Sequence, residues 1–122
     1  MEGKILIIED QDYIAELLRD VVELLDQEAV LAGSGEAAEQ ALATHAIQLV
    51  IMDLSLPDIN GIDLYKKIIP NYPHLEKRII FMSGYEPQDY FDNFLKENSV
   101  RFMPKPFMIK DFQEMIKEFI DQ

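Results

Sequence analysis

The chain is expected to fold as an α/β protein, a doubly wound sheet of five parallel strands with helices on both faces. Three observations predict this. Short unbroken apolar runs recur, as in Ile5-Leu6-Ile7-Ile8, Leu49-Val50-Ile51-Met52 and Ile79-Ile80-Phe81-Met82. Runs of that length mark strands buried on both faces. The segments between them carry apolar residues at helical spacing. Strand and helix alternate five times, with each crossover long enough for a helix, and that alternation makes a parallel sheet.

Ile5 to Ile8 forms the first strand and ends in Glu9-Asp10-Gln11-Asp12. Asp12 is the expected N-cap of a helix whose apolar positions are Ile14, Leu17, Leu18, Val21, Val22 and Leu25. Ala29 to Ala32 is a second, weaker strand, and after Gly33-Ser34-Gly35 the Ser34 hydroxyl can cap a helix from about Glu36 to Thr44. The third strand runs through Leu49 to Met52 and delivers Asp53 at its end. Pro57 and Asn60-Gly61 turn the chain into a helix bearing Ile62, Tyr65, Ile68 and Ile69, which Pro70 to Pro73 stops.

Arg78 to Met82 is the fourth strand, ending at Ser83-Gly84. Pro87 suits the first turn of a helix through Asn98, with Tyr90, Phe91, Phe94 and Leu95 on one stripe and Asn98 as a left-handed C-cap. Val100 to Met103 is the fifth strand, followed by Pro104-Lys105-Pro106. The last helix, about Ile109 to Ile120, turns Ile109, Phe112, Ile116, Phe119 and Ile120 inward.

Composition narrows the function classes. At 122 residues and 48% hydrophobic content the chain makes one globular domain. It has no cysteine, which excludes disulfides and thiolate metal sites and fits a reducing compartment. No signal peptide or membrane-length apolar run is present, so a cytoplasmic location is expected. The net charge of −12 repels a phosphate backbone and argues against direct nucleic-acid binding. It favours cationic partners or a divalent metal.

Taken alone, Asp53 reads as a helix cap or a solvated loop residue. In an open parallel sheet, however, the carboxyl ends of the strands share one edge, where ligands gather. That edge collects Glu9-Asp10, Asp53, Ser83-Gly84 and Lys105. Glu9 and Asp10 as caps, with Lys105 pairing idly to Asp53, is the bland alternative. Yet clustered carboxylates repel one another and raise each other's pKa, and a divalent cation reverses that cost. An oxygen-only set suits Mg²⁺, which keeps waters and takes a phosphate oxygen. Lys105 is then a point charge for a phosphoryl group, with the Ser83 hydroxyl beside it.

Over its whole length the chain resembles the response-regulator receiver domain of two-component signalling, of the CheY-like kind. The residues that carry the resemblance are Glu9-Asp10, Asp53, Pro57 to Gly61, Ser83-Gly84, Phe102 and Lys105-Pro106. Asp53 follows Asp10 by 43 positions, Ser83 follows Asp53 by 30, and Lys105 follows Ser83 by 22. The resemblance implies a flavodoxin-like strand order 2-1-3-4-5, and one receiver domain over residues 1–122 without an output domain. It implies a histidine kinase or histidine phosphotransfer domain as donor and Asp53 as phospho-acceptor. It implies Mg²⁺, or Mn²⁺ in its place, on Asp10, Asp53 and the Ser55 carbonyl, with Glu9 acting through water. Lys105, the Ser83 hydroxyl and the Gly84 N–H would contact phosphoryl oxygens, and a cis Lys105–Pro106 bond would aim the lysine inward. Ser83 and Phe102 would switch the surface of the fourth helix, fifth strand and fifth helix, where an unknown output partner docks. The protein would be a self-phosphorylating and self-dephosphorylating switch, not a turnover enzyme, and a monomer or a phosphorylation-promoted dimer.

Some positions depart from the family pattern. Ser83 stands where Thr is commoner, and Asn98-Ser99 where Gly-Ala is commonly seen. Phe102, where Tyr is frequent, has no hydroxyl to hold it outward and is expected to favour the inside even without phosphorylation; plain core packing explains it as well as a switch does. Ser55 and Tyr85 flank the acceptor and are expected to tune phosphoryl lifetime, Ser55 leaving the line of water attack open and Tyr85 shielding it. His45 and His74 read as solvated loop residues. Among other classes, an aspartyl phosphatase of the haloacid-dehalogenase kind wants an Asp two residues past its nucleophile, where Ser55 stands. A flavodoxin-like cofactor binder wants hydroxyls and amides where Glu9 to Asp12 would repel a phosphate.

Overall fold

The structure, a computed structural model, describes residues 2–84, 89–98 and 100–120. Among these residues the chain forms β1 (Lys4–Ile8), α1 (Asp12–Glu23), β2 (Ala29–Ala32), α2 (Gly35–Thr44), β3 (Ile47–Asp53), α3 (Gly61–Ile68), a 3₁₀ turn at Pro73–Leu75, β4 (Ile79–Ser83), α4 (Asp89–Asn98), β5 (Arg101–Pro104) and α5 (Ile109–Ile120). All strand pairings are parallel, in the order β2-β1-β3-β4-β5. The strand count, helix count and order are those expected.

Strand alternation divides the core into two layers. Leu6, Ile8, Val50, Met52, Ile79 and Phe81 face α2, α3 and α4, while Ile5, Ile7, Leu49, Ile51, Ile80 and Met82 face α1 and α5. Every residue of β3 is buried, the polar Gln48 and Asp53 included, and the four positions Leu49 to Met52 between them are accordingly all apolar. The chain leaves β1 toward β2 on one side and returns through β3 on the other. The β1 and β3 ends therefore flank the topological switch point, where this class of sheet opens a cleft.

Local signals account for most element ends. Ser34 Oγ accepts from Ala37 N at 3.1 Å, and Asn60 Oδ1 accepts from Asp63 N at 2.9 Å. Asn60, read as a turn residue, is thus the N-cap of α3. Asp12 is the first helical residue of α1, not its cap. Gln11 holds that place, because its carbonyl accepts the first helical bonds from Ile14 and Ala15. Asn98 is the last helical residue of α4 and caps through its side chain, donating from Nδ2 to the Phe94 carbonyl at 2.9 Å. The left-handed conformation is found instead at Asp26, φ 60°, just after α1. Pro87 lies outside the described residues.

Two residues expected inside are exposed, Leu17 at 46% and Ile109 at 47%. The buried stripe of α1 is Ala15, Leu18, Val21 and Val22, and that of α5 is Phe112, Ile116 and Phe119. Each helix carries a wider apolar band than the sheet covers. No helix among the described residues is long and apolar enough to cross a membrane.

Candidate functional site

The buried apolar run of β3 carries Asp53 to the carboxyl edge, where it is 7% exposed. Each of its oxygens is held. Oδ1 accepts from Ser55 N at 2.8 Å, and Oδ2 accepts from Lys105 Nζ at 2.7 Å. The same ammonium donates to Glu9 Oε1 at 2.6 Å. Lys105 enters from the end of β5, its backbone N–H donating to the Ser83 carbonyl at 2.8 Å, and its bond to Pro106 is cis. Residues 9, 53 and 105, far apart in the chain, thus meet through one cation.

Adjacent positions at the end of β1 separate by exposure. Glu9 is buried at 2%, while Asp10 is exposed. Glu9, Asp10 and Asp53 each offer a carboxylate oxygen, all within 4.8 Å of one another. Burial pushes the Glu9 carboxyl up from 4.5 to about 7; Lys105 opposes this and the Asp53 charge adds to it. Burial acts to lower the Lys105 ammonium, but the hydrogen bonds and charges of Asp53 and Glu9 outweigh it and raise the pKa. The cleft holds more negative charge than one ammonium balances.

That imbalance tests the fit of a divalent cation. Glu9 Oε2 is buried with no hydrogen-bond partner, an uncompensated acceptor on a residue of the carboxylate cluster. The donors are all oxygen, with no thiolate and no imidazole in the cluster, as Mg²⁺ prefers. The residues present fit the ion.

The other expected site residues fall around this centre. Ser83 is the last residue of β4, 2% exposed and paired in register with Pro104. Gly84 follows it at the surface, and a Cβ added there would meet nothing within 4 Å, so sterics do not demand glycine. Ser55 is exposed, two residues past the acceptor, and bridges Asn60 across the loop. Phe102 is half-buried on β5, edge-on to Phe91 with ring centroids 5.3 Å apart. Tyr85 lies outside the described residues. His45 and His74 stand apart from the cluster, but neither is merely solvated. His45 Nδ1 is 3.5 Å from Lys4 Nζ, and His74 Nε2 is 2.9 Å from the Ile47 carbonyl oxygen.

Sequence reasoning missed an apolar rim. Ile14, Leu17, Pro106, Phe107 and Ile109 line a groove of about 460 Å³ that shares Lys105 with the acidic cleft. Tyr13 and Met108, chain neighbours of Ile14 and Ile109, are 72% and 69% exposed. The signal was present in the helical positions of Leu17 and Ile109, but it read as core.

The family model described as the response regulator receiver domain matches residues 5–117. The chain is similar to the response regulator protein FleR of Pseudomonas aeruginosa, 31% identical over 116 residues, covering 95% of this chain and 24% of FleR. It is similar to sporulation initiation phosphotransferase F of Bacillus subtilis, 26% identical over 120 residues, covering 98% of this chain and 95% of that protein. Among solved structures it is similar to the non-phosphorylated HemR receiver domain of Leptospira biflexa, with TM-score 0.86, 28% identity, and 99% and 96% of the two chains covered. The chain spans less than two thirds of several curated relatives, FleR among them.

Proposed function

The chain belongs to the response regulator receiver domain family, phospho-accepting modules of two-component signalling, and we propose that Asp53 is its acceptor and takes the phosphoryl group from a phosphohistidine. An Asp53 carboxylate oxygen attacks phosphorus. The new O–P bond forms as the N–P bond breaks, and the imidazole nitrogen keeps the electron pair and takes a proton from solvent. The observation that carries this reading is the single ammonium of Lys105 shared between Asp53 and Glu9 at the strand ends. An incoming phosphoryl oxygen would draw Lys105 toward itself, while the Ser83 hydroxyl and Gly84 N–H donate to the other oxygens. Catalysis is then positioning and charge neutralisation.

Asp10, Asp53 and the Ser55 carbonyl would hold Mg²⁺, with Glu9 reaching it through water and Mn²⁺ as an alternative ion. When bound, the ion neutralises charge on the transferred phosphoryl oxygens. The protein works as a switch that gains and loses its own phosphoryl group, not as a turnover enzyme. Its donor is a histidine kinase or phosphotransfer domain, which presents the phosphohistidine to the cleft over the apolar rim of Leu17 and Ile109; a cytoplasmic location goes with such a donor. The readout surface is α4-β5-α5, reached through Ser83 and Phe102. An aspartyl phosphatase of the haloacid-dehalogenase kind is disfavoured, since Ser55 stands where its acid/base carboxylate is needed.

Incubation with Mg²⁺ and acetyl phosphate tests the reading by mass. One added phosphoryl group is expected in the wild type and none in Asp53→Asn. An adduct that survives Asp53→Asn, or no adduct from small donors and phosphorylated kinases alike, would overturn it.

A further inference from the structure

The loop between β3 and α3 is closed at its neck and fastened at its tip. At the neck, Gly61 N donates to the Leu54 carbonyl at 2.8 Å, and Ser55 bridges Asn60. At the tip, Asp58 reaches to α2, a different element: Oδ1 accepts from Gly35 N at 2.9 Å and Oδ2 from Glu36 N at 3.1 Å. The next amide, Ala37 N, is taken by Ser34. The first three orphan amides of α2 are thus divided between a local cap and a carboxylate 22 to 23 residues away. The contact also involves packing. A Cβ on Gly35 would run into Ile59 Cγ2, so the loop tip lies directly on the first turn of α2.

We propose that Asp58 is a positioning residue for the acceptor loop, clamping residues 54–60 to α2 so that Ser55 keeps its place beside Asp53. The proposal rests on the reading that the Ser55 carbonyl belongs to the metal site. Ser55 N donates to Asp53 Oδ1, so one residue both orients the acceptor carboxylate and offers the carbonyl. Ser55 sits at the neck, bridged to Asn60, and without a second fastening at the tip the hairpin could hinge about that neck. The α2 N-terminus favours an anion at the tip, which gives the clamp a fixed direction. Residues that orient ligands without touching the metal are where affinity is commonly tuned.

The test uses the full chain with Asp58→Ala, Asp58→Asn and Ser34→Ala. Ser34→Ala removes the local cap of α2 and leaves the clamp. Two quantities are read: hydrogen exchange of the Ser55 amide without metal, and Mg²⁺ affinity by calorimetry. In Asp58→Ala the Ser55 amide is expected to exchange about tenfold faster and the Mg²⁺ Kd to rise about tenfold. Ser34→Ala should leave both unchanged, and Asp58→Asn, which keeps an acceptor oxygen and serves should the Ala variant not fold, should restore most of each. Unchanged Ser55 exchange in the Ala variant, or equal acceleration by Ser34→Ala, would overturn the clamp. Faster exchange with an unchanged Mg²⁺ Kd would overturn its link to the site. A wild type that binds no Mg²⁺ would instead overturn the metal reading above, while Ser55 exchange would still judge the clamp.

Discussion

Lys105 Nζ lies 2.7 Å from Asp53 Oδ2, an ion pair spanning 52 residues with only a tenth of the aspartate side chain exposed. The lysine also pairs with Glu9, so its removal strands two buried carboxylates. Lys105→Met, which keeps the stem, is expected to cost about 3 kcal/mol at pH 8. The loss should shrink on acidification as Glu9 takes a proton. Mg²⁺ should raise the midpoint of the variant more than that of the wild type, because the ion supplies the missing charge. Denaturant melts with and without Mg²⁺ check this, and a Met variant as stable as wild type at pH 8 would contradict the pairing.

Glu9 contributes a pH dependence to the stability of the metal-free protein. Its folded pKa, about 7, is raised above the ordinary 4.5, so the fold binds the proton more tightly than the unfolded chain does. The stability this group contributes is complete below about pH 4.5 and is lost as pH rises through about 7. Glu9→Gln mimics the protonated acid at every pH. The variant is therefore expected to melt increasingly above the wild type between pH 5 and 8, with the gap closing at the acid end. A gap independent of pH would show that Glu9 is not held up by its surroundings.

The groove beside Lys105 separates protein donors from small ones. Leu17→Ser and Ile109→Ser alter exposed side chains outside the acidic cluster. Phosphotransfer from any histidine kinase or phosphotransfer domain that labels the wild type should slow about tenfold, since burying a Leu or Ile side chain against the donor is worth roughly 1.5–3 kcal/mol. Labelling by acetyl phosphate should be unchanged. Leu24→Ser, at the far end of α1 and 74% exposed, is the control and should leave both rates alone. Equal slowing with both donors would place the effect in the cleft instead.

Most of the fold and the central site were legible because strand ends are written in the sequence. Leu49 to Met52 are apolar on both faces, so the first polar residue after them, Asp53, marks the sheet edge. The same reasoning placed Glu9, Ser83 and Lys105 on that edge. What escaped was whatever depended on a partner distant in sequence. The unequal burial of Glu9 and Asp10 follows from which of two neighbours turns under Lys105. Asp58 carried no signal beyond its place between Pro57 and Gly61, because its bonds are to amides more than twenty residues earlier. Leu17 and Ile109 match the helical period as well as any core residue, and periodicity cannot say how wide a band the sheet will cover. The cap of α1 was misplaced by one residue because Glu9 to Asp12 are all polar, and the backbone chose among them.

Phe102 ends a run of packed rings. It meets Phe91 of α4 at 5.3 Å, Phe91 meets Phe81 of β4 at 6.0 Å, Phe81 meets Phe94 at 5.7 Å, and Phe94 meets Tyr65 of α3 at 5.0 Å, each contact edge-to-face. Outward rotation of Phe102 would break the Phe91 contact, so the unphosphorylated chain is expected to hold the ring inside. Nuclear Overhauser contacts between the two rings should be strong without any phosphoryl donor. Phe91→Ala, at a 6% exposed site, should cost about 3 kcal/mol, and Phe102 ring signals should then lose their ring-current shifts. A double-mutant cycle of Phe91→Ala with Phe102→Ala should return a coupling of about 1 kcal/mol. A Phe102 ring in solvent in the free wild type, with no coupling to Phe91, would leave Phe102 without a packed connection to α4.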